Sequence, residues 1–428
     1  MRRLMLGLLT IFILLLSSTT QLSSLVSVLP HREPNSFKLS QSTERTEHNP
    51  INITDDSHFF EMGFSGSGTD EDPYVIDDLI IVNEDYCIRI AETNSFFEIR
   101  NCFLTCHNGF AIKLENVSHC IIDDCIIEGG EFGISLRNCS FIEIVSTIIA
   151  GSHSSGIYAN GCDYNLSISS NRIFGCETGI FVENTENCII NMNRIYYNRF
   201  GIHLLDDTNS NMITQNSLGW NNNSGNRFGD NIDGGNVVDS GSDNYWDGNS
   251  WSDYNSVDAW YEIGGGSNPQ DYPRDLNPSL LLDLSSPVIT ISDIDRVIEG
   301  DSIAFLSWRI IEEFPASFEL YRNTIAIDEG YLTTDILVQP LGLLSYGTHN
   351  FTIIIRDAVG NIETLEHDIR VVSPVVEIFL ILSLGVCICV FTILPLDYLL
   401  RIRKRKMIDE LESDEPEDSI LEPSQLLE

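Results

Sequence analysis

Positive charge is what this sequence has least of. Its 428 residues carry 24 Lys and Arg against 63 Asp and Glu, a formal net charge of −39. Phosphate contact needs Lys and Arg, so the balance excludes nucleic acid as an expected partner. Cysteine is thin as well. Eleven in a chain of this length are too few for a disulfide-stapled scaffold, and none lies between 283 and 373. There is no C-x-x-C pair and no EF-hand spacing, so no metal site and no cofactor are expected. No complete catalytic set is visible either. A hydrophobic content of 43% excludes a wholly disordered chain, and the length implies two or three domains.

The two ends carry placement signals. Arg2 and Arg3 precede an apolar run from Leu4 to Leu16, too short to span a bilayer, and small polar residues follow. Residues 1–20 therefore read as a signal peptide and 21–58 as a polar linker. Val375 to Leu394 is apolar and long enough for one membrane-spanning helix, placed at 374–400. Arg401, Arg403, Lys404, Arg405 and Lys406 follow it at once. Basic flanks mark the cytoplasmic side, so the expectation is a single-pass protein of the cell membrane. The ectodomain lies outside, and a basic-then-acidic tail, 401–428, lies inside.

Internal repetition is the strongest pattern. Ile99, Ile122, Ile144, Ile168, Ile190 and Ile213 recur every 22–24 residues. Three residues after each comes Cys102, Cys125, Thr147, Asn171, Asn193 or Asn216, and two further on Leu104, Ile127, Ile149, Ile173, Ile195 or Leu218. Another row is Ile88, Ile112, Ile134, Ile157, Ile180 and Ile202, with Ile90, Leu114, Leu136, Ala159, Val182 and Leu204 two residues on. Alternation of apolar and polar residues means strands. Short strands in so brief a repeat bury a core only by stacking coil on coil. The pattern predicts a parallel β-helix over 59–260, with stacked Asn side chains hydrogen-bonding along its axis at one bend. A linker follows at 261–282. About seven short strands then read as a small β-sandwich over 283–373, with Trp308 in its core.

Several phrases carry a family likeness. Gly66-Ser67-Gly68-Thr69 with Pro73-Tyr74-Val75-Ile76 opens the repeat, Asn-x-Ile and Gly-Ile-x-Leu units fill it, and Asn244-Tyr245-Trp246-Asp247-Gly248-Asn249 with Trp251-Ser252-Asp253-Tyr254 closes it. Over about residues 63–255 the chain resembles the right-handed parallel β-helix repeat family, and within it the NosD-like periplasmic and surface proteins. The resemblance implies the fold. It leaves function open, because the fold hosts lyases, hydrolases, adhesins and maturation factors. Tyr346–Thr352 leading to Asp357-Ala358-Val359-Gly360-Asn361 resembles the closing hairpin of immunoglobulin-like or fibronectin-like repeats of prokaryotic surface proteins.

Candidate site residues come from the outward positions. Between the two apolar members of the Ile88 row lie Arg89, Lys113, Ser135, Tyr158, Phe181 and His203, all predicted to face away from the core. Tyr158, Phe181 and His203 would then stack on one face, with Tyr196 and Trp220 in the next turn region and Glu183 and Asp206 nearby. Exposed rings suit sugar stacking, and carboxylates accept hydroxyl hydrogen bonds. The alternative for the rings is cover by a neighbouring loop. The Asp-rich stretch 228–258 offers oxygen ligands, but Asp/Gly/Asn loops are usually turns. Cys102 with Cys125, and Cys139 with Cys162, occupy equivalent sites in adjacent coils. Disulfides and buried thiols both remain open for them.

The expected function is a membrane-anchored surface β-helix binding a glycan or another surface polymer. The alternatives are a carbohydrate-active lyase or hydrolase, a purely structural envelope protein and, by likeness to the family's namesake, copper handling.

Overall fold

A computed structural model of the chain describes residues 45–205, 207–221, 235–264, 273–292, 294–301, 303–373 and 399–405. The segments read as signal peptide (1–20) and most of the membrane helix (374–400) lie outside the described residues. Among the described residues no helix is long and apolar enough to cross a membrane. By contacts the chain forms two compact units: residues 1–293, 305–341 and 350–367, and residues 294–304, 342–349 and 368–428.

The first unit contains a β-solenoid of parallel strands, right-handed in type, built from three sheets. The first is ten-stranded, running from Thr46–Glu47 to Ser279–Leu280. The second passes through Tyr86–Thr93, Phe132–Arg137, Ser155–Asn160, Thr178–Glu183 and Phe200–Leu204. The third passes through Phe97–Arg100, Ser140–Val145, Tyr164–Ser169, Ile189–Asn191 and Met212–Thr214. The rows read from the sequence are the registers found. Ile99, Ile122, Ile144, Ile168, Ile190 and Ile213 pair one above the next. So do Leu104 to Leu218 and Ile88 to Ile202. Every member of these rows is fully buried.

The corners explain why the coils turn where they do. Between the third sheet and the first, each bend has one residue in the left-handed region: Asn101, Asp124, Ser146, Ser170, Met192 and Gln215, then Gly248. The next residue points inward and meets the polar groups of the bend. Cys102, Cys125 and Thr147 donate to the carbonyl two residues earlier, at 3.3, 3.3 and 3.0 Å. From Asn171 onward an amide reaches across coils. Asn193 Oδ1 accepts the Asn171 backbone N–H at 2.9 Å and Asn171 Nδ2 at 3.0 Å, while Asn193 Nδ2 donates to Ile168 O at 2.8 Å and Asn216 Oδ1 at 3.0 Å. The ladder continues through Asn249 and ends on Asp275, which has only acceptors to offer and takes Asn249, Gly248 and the Trp251 indole N–H. Two shorter ladders, Asn198–Asn221–Asn236 and Asn211–Asn244, end likewise on Asp253 and Asp239.

The solenoid runs past both ends of the span 59–260. Thr46–Glu47 and Ile51–Ile53, inside the stretch read as polar linker, already pair in parallel with later coils, and Ile51 and Ile53 are fully buried. Arg274–Asp275 and Ser279–Leu280 pair with the last coils, inside the stretch 261–282. In each case the run is too short to show a period.

Beyond the solenoid the first unit has antiparallel strands. Val288–Ile291, Phe305–Ile311 and Ile336–Pro340 form one sheet, and Pro315–Arg322 pairs with Ile325–Tyr331 and with the 351–357 stretch of Gly347–Asp357. Trp308 is buried, as expected. In the second unit Arg296–Ile298 pairs in parallel with Arg370–Val372.

Two substitutions test this architecture. Ile190→Asp places an unpaired charge in the stack and is expected to cost several kcal/mol. Asn193→Ala strands buried donors and acceptors on both neighbouring coils, a loss of about 3–5 kcal/mol. Thermal melts compared with the unsubstituted chain measure both, and an unchanged midpoint for either contradicts the register.

Candidate functional site

The outward column of the second sheet forms as the alternation requires. Ser135, Tyr158, Phe181 and His203 are consecutive partners, but Ser135 is fully buried rather than exposed. The Tyr158 and Phe181 rings stack at 5.8 Å, and His203 meets Phe181 edge-on at 5.0 Å. All three are half-buried. The column is longer than the sequence reading had it: Phe110 stacks on Phe132 at 5.5 Å, Phe132 lies 5.2 Å from Tyr158, and Phe200 lies 5.8 Å from His203. These three rings start their strands, two residues before the aliphatic row, a position the row-by-row reading passed over.

Glu183 is tied to the column. It accepts the Tyr158 hydroxyl at 2.5 Å and a hydrogen bond from Asn160 Nδ2, and Asn160 Oδ1 accepts from Asn184 at 3.5 Å. Burial, with the Glu183 hydrogen bond adding to it, raises the Tyr158 pKa. The chain of contacts leads to a cleft of about 460 Å³ at the corner between the second and third sheets. Asp163, Tyr164, Asn184, Glu186, Asn187, Asp207 and Asn209 line it, drawn from three successive coils. Tyr164 is 68% exposed there. The cleft thus offers one ring face, three carboxylates and three amides side by side. Asp206 lies outside the described residues; its neighbour Asp207 is in the cleft.

Tyr196 and Trp220 do not belong to the column. Both sit at the corner between the first and second sheets, under a segment of the following strands. Tyr196 is fully buried, with its hydroxyl donating to Pro315 O at 3.0 Å and its ring 5.3 Å from Phe314. Trp220 packs edge-on to Phe314 at 4.9 Å. The cover weighed for the rings is complete over Tyr196, which removes that ring as a ligand platform, and partial over Trp220, which is half-buried. The same segment explains Gly151 and Gly175, both left-handed: a Cβ there would lie 2.5 and 2.2 Å from the Tyr331 ring.

The nine described cysteines are buried, and none of them is in a disulfide. Burial pushes the Cys120 and Cys125 thiols up, and Cys188 up to about 12. Among the described residues of the Asp-rich stretch, Asp239 accepts from Asn244 and Trp246, and Asp253 from Tyr261.

Desolvation lowers the His203 pKa below its ordinary 6.5, so folding favours the neutral ring. The unfolded chain then binds more protons between the folded and unfolded pKa values. Stability linked to His203 is full above the unfolded value and is lost as pH falls towards the folded one. His203→Gln is expected to flatten this part of the melting-temperature profile between about pH 7.5 and about pH 5.5, read as a difference from the parent.

Comparison with known proteins bears on this geometry. No curated protein matches the sequence. Among solved structures, the enzymatically active domain of bacteriophage CBA120 tailspike protein 2 aligns at 10% identity and a TM-score of 0.24. That alignment covers 74% of this chain and 76% of the other, and at that score it says nothing of shared function. Residues 50–261 match the family described as periplasmic copper-binding protein (NosD). That span takes in the aliphatic rows, the asparagine corners up to Asn249 and the aromatic column, so the solenoid of this chain is similar to the NosD family of parallel β-helix proteins.

Proposed function

We propose that the chain is a membrane-anchored surface protein whose solenoid binds a glycan or another linear surface polymer along the Tyr158–Phe181–His203 column. The observation that carries this reading is the continuity of the half-exposed rings with a polar cleft through Glu183, Asn160 and Asn184. Ring faces and edges offer contact to the apolar faces of sugars, and the cleft carboxylates and amides take their hydroxyl groups. Successive coils are about 4.8 Å apart, close to the length of one sugar residue, so a linear chain can meet one coil per unit.

A second reading, cleavage of the bound polymer, is favoured by one feature. Asp163, Glu186 and Asp207 line a single cleft, and glycoside hydrolysis uses two carboxylates flanking one bond. Copper handling, suggested by the family's description, has less behind it. Among the described residues, the group of His, Cys, Asp and Glu side chains that converges within reach of one ion consists of carboxylates alone. Carboxylate oxygen suits hard cations better than copper(I).

A glycan array followed by calorimetry tests the binding. Tyr158→Ala combined with Phe181→Ala is expected to weaken binding by about 1–3 kcal/mol while the fold is kept, because the core rows are untouched. Asp207→Asn should weaken it less; if cleavage occurs, product release should instead collapse while binding persists. Normal binding by the double variant removes the column as the site. The anchored topology has its own test. Protease added to intact cells should digest the ectodomain and spare a tag placed after Glu428, and loss of that tag reverses the orientation.

A further inference from the structure

Three carboxylates from separate parts of the first unit converge where the chain leaves the solenoid. Asp283 precedes Val288–Ile291, Glu312 follows Phe305–Ile311, and Asp357 ends Gly347–Asp357. One oxygen from each lies within 4.8 Å of the others. Asp357 is 1% exposed.

The arrangement is more than a gathering of like charges, because each carboxylate has one oxygen held by a turn. Asp283 Oδ1 accepts the Ser285 backbone N–H at 3.1 Å and its hydroxyl at 3.0 Å. Glu312 Oε1 accepts the N–H groups of Glu313 and Phe314 at 2.8 and 3.0 Å. Asp357 Oδ1 accepts three N–H groups, from Val359, Gly360 and Asn361, at 3.0, 2.7 and 2.8 Å, and its Oδ2 takes Asn361 Nδ2 at 2.8 Å. The other oxygens of Asp283 and Glu312, Oδ2 and Oε2, are fully buried and have no hydrogen-bond partner. Two orphaned carboxylate oxygens beside a third buried carboxylate carry a desolvation and repulsion cost that the turn N–H groups on the opposite oxygens offset only in part.

We propose that Asp283, Glu312 and Asp357 form a calcium-binding site. The donors are all oxygen, which excludes a preference for soft metals. Calcium accepts several carboxylates in flexible geometry and tolerates burial, whereas magnesium keeps much of its water shell and is rarely caged by protein alone. Bound there, the ion would tie the segment after the solenoid to two strand ends. One of them, through Glu312, lies two residues from Phe314, the ring that covers Tyr196 and Trp220.

The test uses the purified full chain, titrated with CaCl2 by calorimetry and melted in EDTA and in CaCl2. The expected result is a melting temperature raised by CaCl2 and a binding isotherm that Asp283→Asn with Glu312→Gln abolishes. Glu312→Gln alone keeps an Oε1 acceptor for the turn, so it should fold, and it should weaken calcium binding by about tenfold or more. In EDTA the double variant should melt no lower than the parent, since it sheds repulsion. Glu366→Gln, on an exposed part of Ile362–Val372, should leave the calcium response unchanged. Absence of any calcium response overturns the proposal. So does an undiminished response in Glu312→Gln, which would place the ion on other carboxylates, and MgCl2 matching CaCl2 would overturn the choice of ion.

Discussion

Each bend of the solenoid turns backbone N–H and C=O groups towards the inside, and the coil that makes the bend cannot satisfy them all. The rest of the structure depends on how that debt of hydrogen bonds is met. A left-handed residue makes the bend, and the residue after it supplies the partner. Where that partner is a thiol or hydroxyl, as at Cys102, Cys125 and Thr147, its shorter bond lies within its own coil, and a longer one reaches the coil before: Cys102 to Ile76 O at 3.7 Å, Cys125 to Ile99 O at 3.6 Å, and Thr147 Oγ1 accepting the Cys125 N–H at 3.4 Å. Where it is an amide, it bonds to the coils on either side. The aliphatic rows need no such specificity, because any well-packed apolar side chain contributes to them. Register is therefore set at the corners, and the rows follow.

This division separates the two halves of the solenoid. The earlier coils carry Cys at two of these corners and are held together across coils by strand pairing, apolar contact and single side-chain hydrogen bonds such as Asn138 to Asn116 and Ser118 to Asn94. The later coils add amide ladders, each ending on a carboxylate that accepts without needing to donate: Asp275, Asp253 and Asp239. A terminal amide would leave an N–H pair without a next coil to receive it, and an aspartate removes that requirement. Trp246 and Trp251, both buried, donate their indole N–H groups to these carboxylates. Cap and ladder are thus one network.

Legibility followed periodicity. Each of the aliphatic rows, the Cys/Thr/Asn row and the column Tyr158–Phe181–His203 could be read because a repeat states the same spatial fact several times. What the repeat does not state could not be read. Tyr196 sits one row from Ile195 and looks like a surface ring, but its cover comes from Pro315 and Phe314, more than a hundred positions later and outside any period. The opening strand Ile51–Ile53 has only three residues to show its alternation. Asp283, Glu312 and Asp357 each look like ordinary turn acids in the sequence, and only the tertiary fold brings them together.

The outward column has no comparable structural reason to be aromatic. Its earlier members are Arg89, Lys113 and Ser135, and the coils carrying them stack with the same register as those carrying Tyr158, Phe181 and His203. The fold accepts cation, hydroxyl or ring at this position, so the change to rings in three successive coils is not a demand of the core. Neighbour stacking gives each ring some burial, and Tyr158 adds a hydrogen bond to Glu183. Stacking also fixes the rings before anything binds them, which lowers the ordering cost of a contact made on their exposed sides. On the binding proposed above, a half-exposed column beside a cleft of carboxylates and amides would suit a chain of repeating polar units, because the solenoid's own repeat would supply the spacing.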